Sequence, residues 1–512
     1  GYVDRASSNL QSFYVSAASI TANASLRLNV FSGKEKTYQS WYGITEEQLT
    51  ADRKFNSAGT DKAGDPYENE TDNYTQTHYQ LFYNNKFNSK WSFNGALFAT
   101  AGNGYYEQYK ADQKYSSYGL KNPIVNGIAI TKTDLIRQLW LDNLYYGTNF
   151  SFQMKDENRE IILGGGNSQY DGNHFGKIIW AQAGIFKDHR WYDLDAQKSE
   201  QHVFGKWMEK LGSFHLFGDL QLRNVNYAIE GFRNNPTLSI DKHWLFLNPK
   251  AGLRYTSGEY SSFISYALAN KEPNRDDFEA GTTDIPKHET LHDVEAGIER
   301  TGSKLKMAAT VYHMRYNNQL VLTGKINDVG AYTRTNIPLS YRTGLEIEAT
   351  LSISDRLHIN NNLALSSNKV KNHREFYDDY DAGDQKVDFF STSNIAFSPA
   401  VVDNATISYT LLKDLETRLI SKYVSRQYLD NTSRKDRSLA PYFTQDLMVN
   451  YSLHPKRMKS IELIFQLNNI WNKWYAPNGY TYTYKYGGEL VRNNFYYPMA
   501  ERNLMIGLNL NF

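Results

Sequence analysis

The sequence contains no cysteine among its 512 residues, which excludes both a disulfide framework and thiolate chemistry. No apolar run approaches the roughly 18 residues that a membrane-spanning helix needs, so a helical membrane protein is excluded as well. The net charge is +1 and basic residues do not cluster, so we expect no nucleic-acid partner. The first residues, GYVDRASSN, contain no basic and apolar leader, and we therefore expect this sequence to be the mature form or a fragment of an exported protein.

Aromatic residues are abundant, with 39 Tyr, 26 Phe and 9 Trp, although the mean hydropathy is only -0.62. A membrane β-barrel explains both features, because only every second strand residue faces lipid and aromatic rings gather at the membrane interfaces. In the last ten residues, NLMIGLNLNF, Leu504, Ile506, Leu508 and Leu510 fall on one face and mostly polar residues on the other. The pattern predicts an all-β fold, a transmembrane antiparallel β-barrel.

Segments with the strand pattern number about nineteen, and short turns alternate with long loops between them, as in bacterial outer-membrane barrels. The predicted strands include Trp91 to Ala101, Asp134 to Lys155 and Glu160 to Tyr170. Closed bacterial barrels have even strand numbers, and transporters with a plugged lumen have about 22 strands. We therefore expect three further strands to precede this sequence.

The segment from Gly344 to Ile353 shows which face of a strand meets lipid. Glu346 and Glu348 share one face, whereas Leu345, Ile347 and the following apolar residues share the other. Two carboxylates in contact with hydrocarbon would be very unfavourable. The alternation therefore predicts that the glutamates face a water-filled or plugged lumen.

Several stretches resemble the barrel portion of TonB-dependent outer-membrane receptors, especially those of Bacteroidetes. They include GYVDRASSNLQSFYVS, WYGITEEQL, SYALANKEPNRDDFEAG, YRTGLEIEA and LIFQLNNIWNKWY, and they extend over nearly the whole chain. The resemblance implies that residues 1–512 form one barrel domain of a 22-stranded fold, located in the bacterial outer membrane among its lipids. It also implies a preceding plug, absent from this sequence, through which the TonB–ExbB–ExbD complex would energise transport. A surface-exposed lipoprotein is a further partner that the family suggests.

No catalytic constellation is present in the sequence, and we expect neither enzymatic activity nor a tightly bound cofactor. Serine is plentiful, but no GxSxG motif is present. The GGGN run from Gly164 to Asn167 lies in a strand rather than before a helix, which argues against a phosphate-binding loop. We interpret its missing side chains as space for a neighbouring group.

Aromatic residues with nearby cations in the long loops are the candidates for substrate binding, because they suit a bulky metal chelate through stacking, cation–π contact and charge pairing. The candidates are Tyr105, Tyr106, Tyr109, His189, Arg190, Trp191, Tyr480, Tyr482, Tyr484 and Tyr486. His174 and His189 could serve as axial haem ligands, but the sequence motifs typical of haem receptors are absent.

The acidic segment REFYDDYDAGDQKVD contains four closely spaced aspartates that could hold calcium, because carboxylate oxygens are ligands that calcium prefers. These residues are Asp378, Asp379, Asp381 and Asp384. The segment lacks a full EF-hand pattern, so a solvated acidic loop is the competing interpretation.

The leading hypothesis from the sequence is a TonB-dependent receptor that imports a scarce metal chelate, most plausibly a ferric siderophore or another iron complex. Cobalamin uptake is the nearest alternative, on the same fold. Glycan or peptide import is a third hypothesis, and a passive porin is a fourth. The long strands disfavour the porin, and loops of moderate length disfavour a glycan or peptide importer.

Overall fold

Antiparallel β-strands make up nearly all of the regular structure in the computed structural model, which describes residues 2–279, 285–327 and 331–512. In chain order the strands are β1 (Ser8–Ile20), β2 (Ala24–Tyr38), β3 (Ile44–Thr45), β4 (Thr71–Lys86), β5 (Trp91–Lys114), β6 (Ile124–Val125), β7 (Ile128–Ala129), β8 (Lys132–Lys155), β9 (Arg159–Ala181), β10 (His189–Leu211), β11 (Phe214–Phe232), β12 (Asn235–Ser257), β13 (Tyr260–Lys271), β14 (Glu289–Thr301), β15 (Leu305–Ile326), β16 (Tyr332–Ser354), β17 (Leu357–Asp379), β18 (Asp384–Asn394), β19 (Val401–Leu412), β20 (Leu415–Val424), β21 (Gln427–Tyr428), β22 (Ser438–Leu439), β23 (Tyr442–Leu453), β24 (Ser460–Asn468), β25 (Asn478–Tyr486), β26 (Glu489–Tyr497) and β27 (Asn503–Asn511). Two helices of four residues, α1 (Gln48–Ala51) and α2 (Arg275–Phe278), and a 3-10 turn, Tyr115–Tyr118, lie between strands. Among the described residues, no helix is long and apolar enough to cross a membrane.

Nineteen of the strands form the wall of the barrel, in agreement with the number predicted from the sequence. They are β1, β2, β4, β5, β8 to β17, β19, β20, β23, β24 and β27, each paired antiparallel with the next in this order. Within the described part of the chain, β1 pairs only with β2, and β27 pairs only with β24. The short turns lie at one end and the long loops at the other, which places the loops outside the cell.

A continuous row of exposed aliphatic side chains marks the lipid-facing side of the wall. Val203, Leu222 and Leu247 lie opposite one another in three neighbouring strands and are 58%, 42% and 51% exposed. In β16, Leu345 lies opposite the exposed Val311 of β15 and therefore shares this face. Glu346 lies on the opposite face, so the predicted orientation of this strand is confirmed.

Several wall strands extend further towards the loops than the sequence predicted. β5 ends at Lys114 instead of Ala101, and β9 ends at Ala181 instead of Tyr170. The apolar band of such a barrel is only about 25 Å tall, whereas a strand of this length reaches about 60 Å at a tilt near 40°. Beyond the membrane the ladder continues without alternating hydrophobicity, because both faces of the strands meet polar surroundings.

Small apolar cores stabilise the loop end of the barrel, where the wall is not supported by lipid. One of them joins Phe232, Ile240 and Phe278. Phe278 belongs to α2, which is formed by the KEPNRDDF stretch and begins with a reciprocal capping box between Asn274 and Asp277. The last two residues of the longer motif, Ala280 and Gly281, lie outside the described residues.

The GGGN run lies within β9, and its first glycine makes room for an aromatic ring. A Cβ atom at Gly164 would lie 2.5 Å from Cζ of Phe204 and 2.7 Å from the carbonyl oxygen of Phe150. Phe204 is the residue opposite Gly164 in β10. The interpretation of this run as space for a neighbouring group is therefore confirmed at this position.

Gly164→Ala is expected to destabilise the barrel by about 1–2 kcal/mol, because the new methyl group would press against a backbone oxygen that cannot rotate away. The measurement is the temperature at which the detergent-solubilised barrel loses its resistance to SDS. Gly205→Ala is the matched control, since its Cβ would meet only Cδ2 of Leu163 at 3.4 Å. Equal transition temperatures for the two variants would contradict the close packing at Gly164.

Candidate functional site

The hairpin formed by β25 and β26 crosses the extracellular end of the barrel. On one edge, Phe495 and Tyr496 of β26 pair with β3, which lies in the loop after β2. On the other edge, Tyr484 and Lys485 of β25 pair in parallel with the end of β17. We call this hairpin the mouth hairpin, and its two pairings connect loops from separate parts of the wall.

Aspartates of the acidic segment hold the tip of the mouth hairpin. Asp379 accepts a salt bridge from Lys485 Nζ at 3.0 Å. The two carboxylate oxygens of Asp381 accept hydrogen bonds from the backbone N–H groups of Gly487 and Gly488 at 2.7 and 2.8 Å. Both glycines have positive φ angles, of 63° and 80°, which a residue with a side chain rarely adopts.

The structure does not assemble these aspartates into the predicted calcium site. Asp384 forms a salt bridge with Lys386 at 2.8 Å, and Asp378 accepts a hydrogen bond from Gln385. Across residues 2–279, 285–327 and 331–512, no group of three or more acidic or histidine side chains is arranged to hold a metal ion. The carboxylates of Asp379 and Asp381 instead bind an ammonium group and backbone amides. The spacing of the aspartates in the sequence does not distinguish these partners from a metal ion.

Asp381→Ala is expected to increase the rate of tryptic cleavage at the tip of the mouth hairpin about tenfold, because the tip loses two hydrogen bonds to a charged acceptor. The measurement is limited proteolysis of the folded barrel, with the new fragments identified by mass. Asp384→Ala is the control, because its salt bridge lies in the same segment but does not contact the hairpin. Similar cleavage rates for both variants would show that Asp381 does not hold the tip.

The hairpin tyrosines mostly pack within the loops instead of facing an open site. Tyr480 is buried and stacks on Phe495 with ring centroids 4.7 Å apart, and burial raises the pKa of its hydroxyl. Tyr482 donates a hydrogen bond to the carbonyl of Ile326 at 3.0 Å. Tyr484 packs edge-on against Tyr380, whereas Tyr486 at the tip is 66% exposed.

The threonines that alternate with these tyrosines line a cavity of about 780 Å³ below the hairpin. We call it the mouth cavity. Thr481 and Thr483 of β25 form one side, and the upper ends of β15, β16 and β17, strand β18 and the loop between residues 430 and 437 form the others. Its volume falls within the range of about 300–1,000 Å³ typical of small-molecule sites.

The residues that line the mouth cavity include four cations and three acids, which leaves one positive charge in excess, and two of the cations are paired with these acids. Arg437 is buried and pairs with Asp430 at 2.6 Å and with Glu375. Arg334 pairs with Asp277 at 2.7 Å.

The other two cations, Lys325 and Arg374, have no ion-pair partner among the residues that the structure describes. They therefore give the cavity surplus positive charge.

Buried polar atoms without a partner border the same cavity. In the described part of the chain, His373 Nδ1, Thr483 Oγ1 and Arg437 Nε have no hydrogen-bond partner. His373 lies in the part of β17 that pairs with β18 beyond the membrane, and burial lowers the pKa of its imidazole, so that the ring is neutral at pH 7. Each unpaired buried polar group costs about 1–3 kcal/mol.

A second cavity, of about 340 Å³, lies against the inner wall, and its lining includes two of the three tyrosines of the GYYEQYK stretch, Tyr105 and Tyr106. The hydroxyl of Tyr106 accepts a hydrogen bond from Nη1 of Arg233 at 3.4 Å, and Tyr192 and His174 line the same cavity. His174 therefore faces the lumen, whereas Nε2 of His189 is hydrogen-bonded to the carbonyl of Tyr118. The two histidines are not brought together.

The side chains of the other candidates in GYYEQYK and KDHRWYD do not project into the lumen. Tyr105 and Trp140 border the second cavity, but their side chains lie opposite each other on the outer face of the wall. Arg190 lies over the ring of Phe175 on that outer face. Tyr109 donates a hydrogen bond to Asp134 at 2.6 Å. Trp191 packs against Tyr118 inside a small loop core (centroids 5.1 Å apart), so it is an internal packing residue.

The sequence suggested the hairpin tyrosines as binding residues, and in the structure most of them pack within the loops, so their role in binding stays a prediction. The sequence analysis did not identify four residues that line the mouth cavity, namely Thr481, Thr483, Lys325 and Arg374. The alternation of Tyr and Thr in β25 was a usable signal, because neighbouring residues of a strand point to opposite faces. The convergence of β15, β17 and a distant loop had no signature in the sequence.

Comparison with known proteins identifies the family of the chain and structures with a similar fold. Residues 20–470 match the family model described as TonB dependent receptor-like, beta-barrel. The structure is similar to the ferric-catecholate import receptor Fiu from K12 E. coli, with 13% sequence identity and a TM-score of 0.66 over 100% of this chain and 76% of that chain. It is also similar to the ferric citrate transporter FecA (13%, 0.71, 100% and 71%) and to the copper transporter OprC (12%, 0.70, 100% and 74%). No curated protein sequence matches the chain.

Proposed function

The chain belongs to the family of TonB-dependent receptor β-barrels of the outer membrane, and from this premise we propose that it imports a scarce metal chelate, a ferric siderophore or a related iron complex. The structure is similar to a ferric-catecholate import receptor and to a ferric citrate transporter, which is consistent with this proposal. At 13% sequence identity, what the chain shares with them is the fold. Energy would come from TonB through a plug domain, and both this domain and the Bacteroidetes origin stay predictions.

The observation that carries the proposal is the mouth cavity with its surplus positive charge. Iron chelates commonly present several negatively charged oxygens around the metal, and a partly enclosed site with unpaired cations attracts such a ligand. Lys325 and Arg374 supply that charge, and Thr481 and Thr483 supply hydroxyl groups for hydrogen bonds. A neutral chelate would gain less from this arrangement.

The test is growth of a strain in which the full-length gene is deleted. We expect a growth defect when iron is limiting and supplied as a siderophore complex, and rescue by the intact gene. Growth should be normal when cobalamin is the limiting nutrient. A defect only under cobalamin limitation would overturn the iron proposal, and a defect only on glycans or peptides would favour import of those polymers.

A further inference from the structure

The short helix α2 lies between the mouth cavity and the second cavity. Asp277 of α2 lines the mouth cavity, whereas its neighbours Arg275 and Asp276 line the second cavity. The end of β15 divides in the same way, because Lys325 lines the mouth cavity and Asn327 lines the second one. These two segments therefore form a partition inside the loop end of the barrel, and the position of α2 decides how far the two cavities are separated.

Packing against the wall anchors one side of α2. Phe278 is 1% exposed and lies in the apolar core that includes Phe232. The guanidinium carbon of Arg275 lies 4.7 Å from the centre of the Phe232 ring, and its Nη2 donates a hydrogen bond to the carbonyl of Gly231 at 3.3 Å. None of these contacts involves a residue that lines the mouth cavity, so a ligand bound there leaves them in place.

An ion pair holds the other side of α2 at the mouth cavity. Nε of Arg334, in β16, donates a hydrogen bond to Oδ1 of Asp277 at 2.7 Å. The second oxygen of Asp277, Oδ2, accepts a hydrogen bond from the backbone N–H of Asn274 at 2.7 Å and so caps the helix. Asp277 is only 5% exposed. The carboxylate that caps α2 is therefore the same one that Arg334 neutralises.

Arg334 retains donors that a ligand can use. A guanidinium group has five N–H donors, and in the described part of the chain Nη1 and Nη2 of Arg334 have no hydrogen-bond partner. Its side chain is partly exposed, and the residue lines the mouth cavity together with Lys325 and Arg374. An anion in this cavity would therefore compete with Asp277 for the guanidinium of Arg334.

We propose that Arg334 senses an anionic ligand in the mouth cavity and releases α2 when the ligand binds. The release rests on the proposed function, because an anionic chelate is the ligand that triggers it. As the ligand draws the guanidinium away, Asp277 would stay buried without a cation, which is unfavourable. Helix α2 then moves until this carboxylate reaches water, and the partition between the two cavities opens.

Arg334 is on this account a positioning residue that acts through Asp277. A neutral molecule that fits the mouth cavity would leave the ion pair intact, and the partition would stay closed. The cavity would thus select for charge twice, once by attraction to Lys325 and Arg374 and once by the release of α2. The release also gives a role to the DDF residues of the KEPNRDDF stretch, which form the end of α2.

The test is hydrogen exchange of the α2 backbone in the purified protein, with and without ferric citrate, while equilibrium binding of the same complex is measured separately. The N–H group of Asp277, bonded to the carbonyl of Asn274 at 3.1 Å, reports directly on the helix. We expect saturating ferric citrate to accelerate exchange of α2 at least about fivefold. Binding with unchanged exchange would overturn the release of α2, whereas failure of the complex to bind would count against the proposed function instead.

Arg334→Gln tests the ion pair without any ligand, because it removes the cation and leaves the cap of α2 unchanged. We expect α2 of this variant to exchange at least about fivefold faster than in the unmodified protein, and ferric citrate to cause no further increase. Arg334→Lys keeps the charge and should restore slow exchange and the response to ferric citrate. If α2 of the Arg334→Gln variant exchanges as slowly as in the unmodified protein, the ion pair does not hold the helix and the proposal is wrong.

Arg492→Gln is the matched control for the loss of one arginine at the loop end. Arg492 also pairs with an aspartate, Asp436, at 2.8 Å, but it does not line the mouth cavity and has no contact with α2. We expect exchange of α2 and its response to ferric citrate to be unchanged in this variant. A comparable acceleration would show that the effect is a general loosening of the loops, which would contradict a specific role of Arg334.

Discussion

Reversing the charge of Lys325 and Arg374 together is expected to weaken binding of an anionic ferric siderophore at least about 100-fold, equivalent to about 2.7 kcal/mol. These two cations line the mouth cavity without an ion-pair partner in the described part of the chain. Replacing both by glutamate turns an attraction into a repulsion in a partly enclosed site, where the effective dielectric constant is lower than in water. The measurement is equilibrium binding of the iron complex to the purified protein.

The control for this variant changes the net charge equally but leaves the cavity intact. Lys187→Glu combined with Lys121→Glu serves this purpose, because both lysines are exposed loop residues that lie outside the segments lining the mouth cavity. We expect near-normal affinity for this control. If the Lys325 and Arg374 variant also binds normally, the mouth cavity is not the site where the chelate is recognised.

Arg437→Ala is expected to produce the largest loss of local stability, about 3–5 kcal/mol, because it leaves the buried Asp430 and the partly buried Glu375 without their cation. Arg437 is only 1% exposed and pairs with Asp430 and Glu375, and Asp430 also accepts hydrogen bonds from Thr432. The loop between residues 430 and 437 should then open, and with it one side of the mouth cavity. Hydrogen exchange of this loop in the folded barrel measures the effect.

Arg492→Ala provides the comparison for a cation in an exposed pair. Arg492 forms a salt bridge with Asp436 at 2.8 Å, but both side chains are substantially exposed, so its removal should cost about 1 kcal/mol or less. Protection of the loop should therefore be almost unchanged in this variant. An equal increase in exchange in both variants would mean that burial of Arg437 does not stabilise the loop.

The sequence was sufficient to predict the barrel, because lipid imposes a strict alternation on every strand that crosses it. Nineteen wall strands and the lipid-facing side of β16 were predicted on this basis. The extensions of β5 and β9 were not predicted, because outside the membrane both faces of a strand meet polar surroundings. The side chains there show no alternation of apolar and polar residues. Hydrogen bonding between backbones continues there without any pattern in the side chains.

The candidate site was predicted less well, because its residues converge from loops that are distant in the sequence. The sequence suggested aromatic side chains as the binding residues. In the structure, Tyr480 packs against Phe495, and the side chain of Tyr105 lies on the outer face of the wall. The acidic segment was similarly ambiguous, since the spacing of its aspartates suits either a metal ion or backbone amides. Only the position of the mouth hairpin decides between these uses of the same carboxylates.

The mouth hairpin also constrains the order in which the protein can be completed. The hydroxyl of Tyr497 donates a hydrogen bond of 2.6 Å to the carbonyl of Trp41, a residue 456 positions earlier in the chain. Contacts between such distant residues form late, because the intervening chain must first be ordered. A barrel arrested before insertion of its last strands would therefore lack the hairpin and the cavity beneath it. Only a fully folded barrel would therefore bind ligand at the mouth cavity. Incompletely folded barrels would not compete with mature ones for a scarce nutrient.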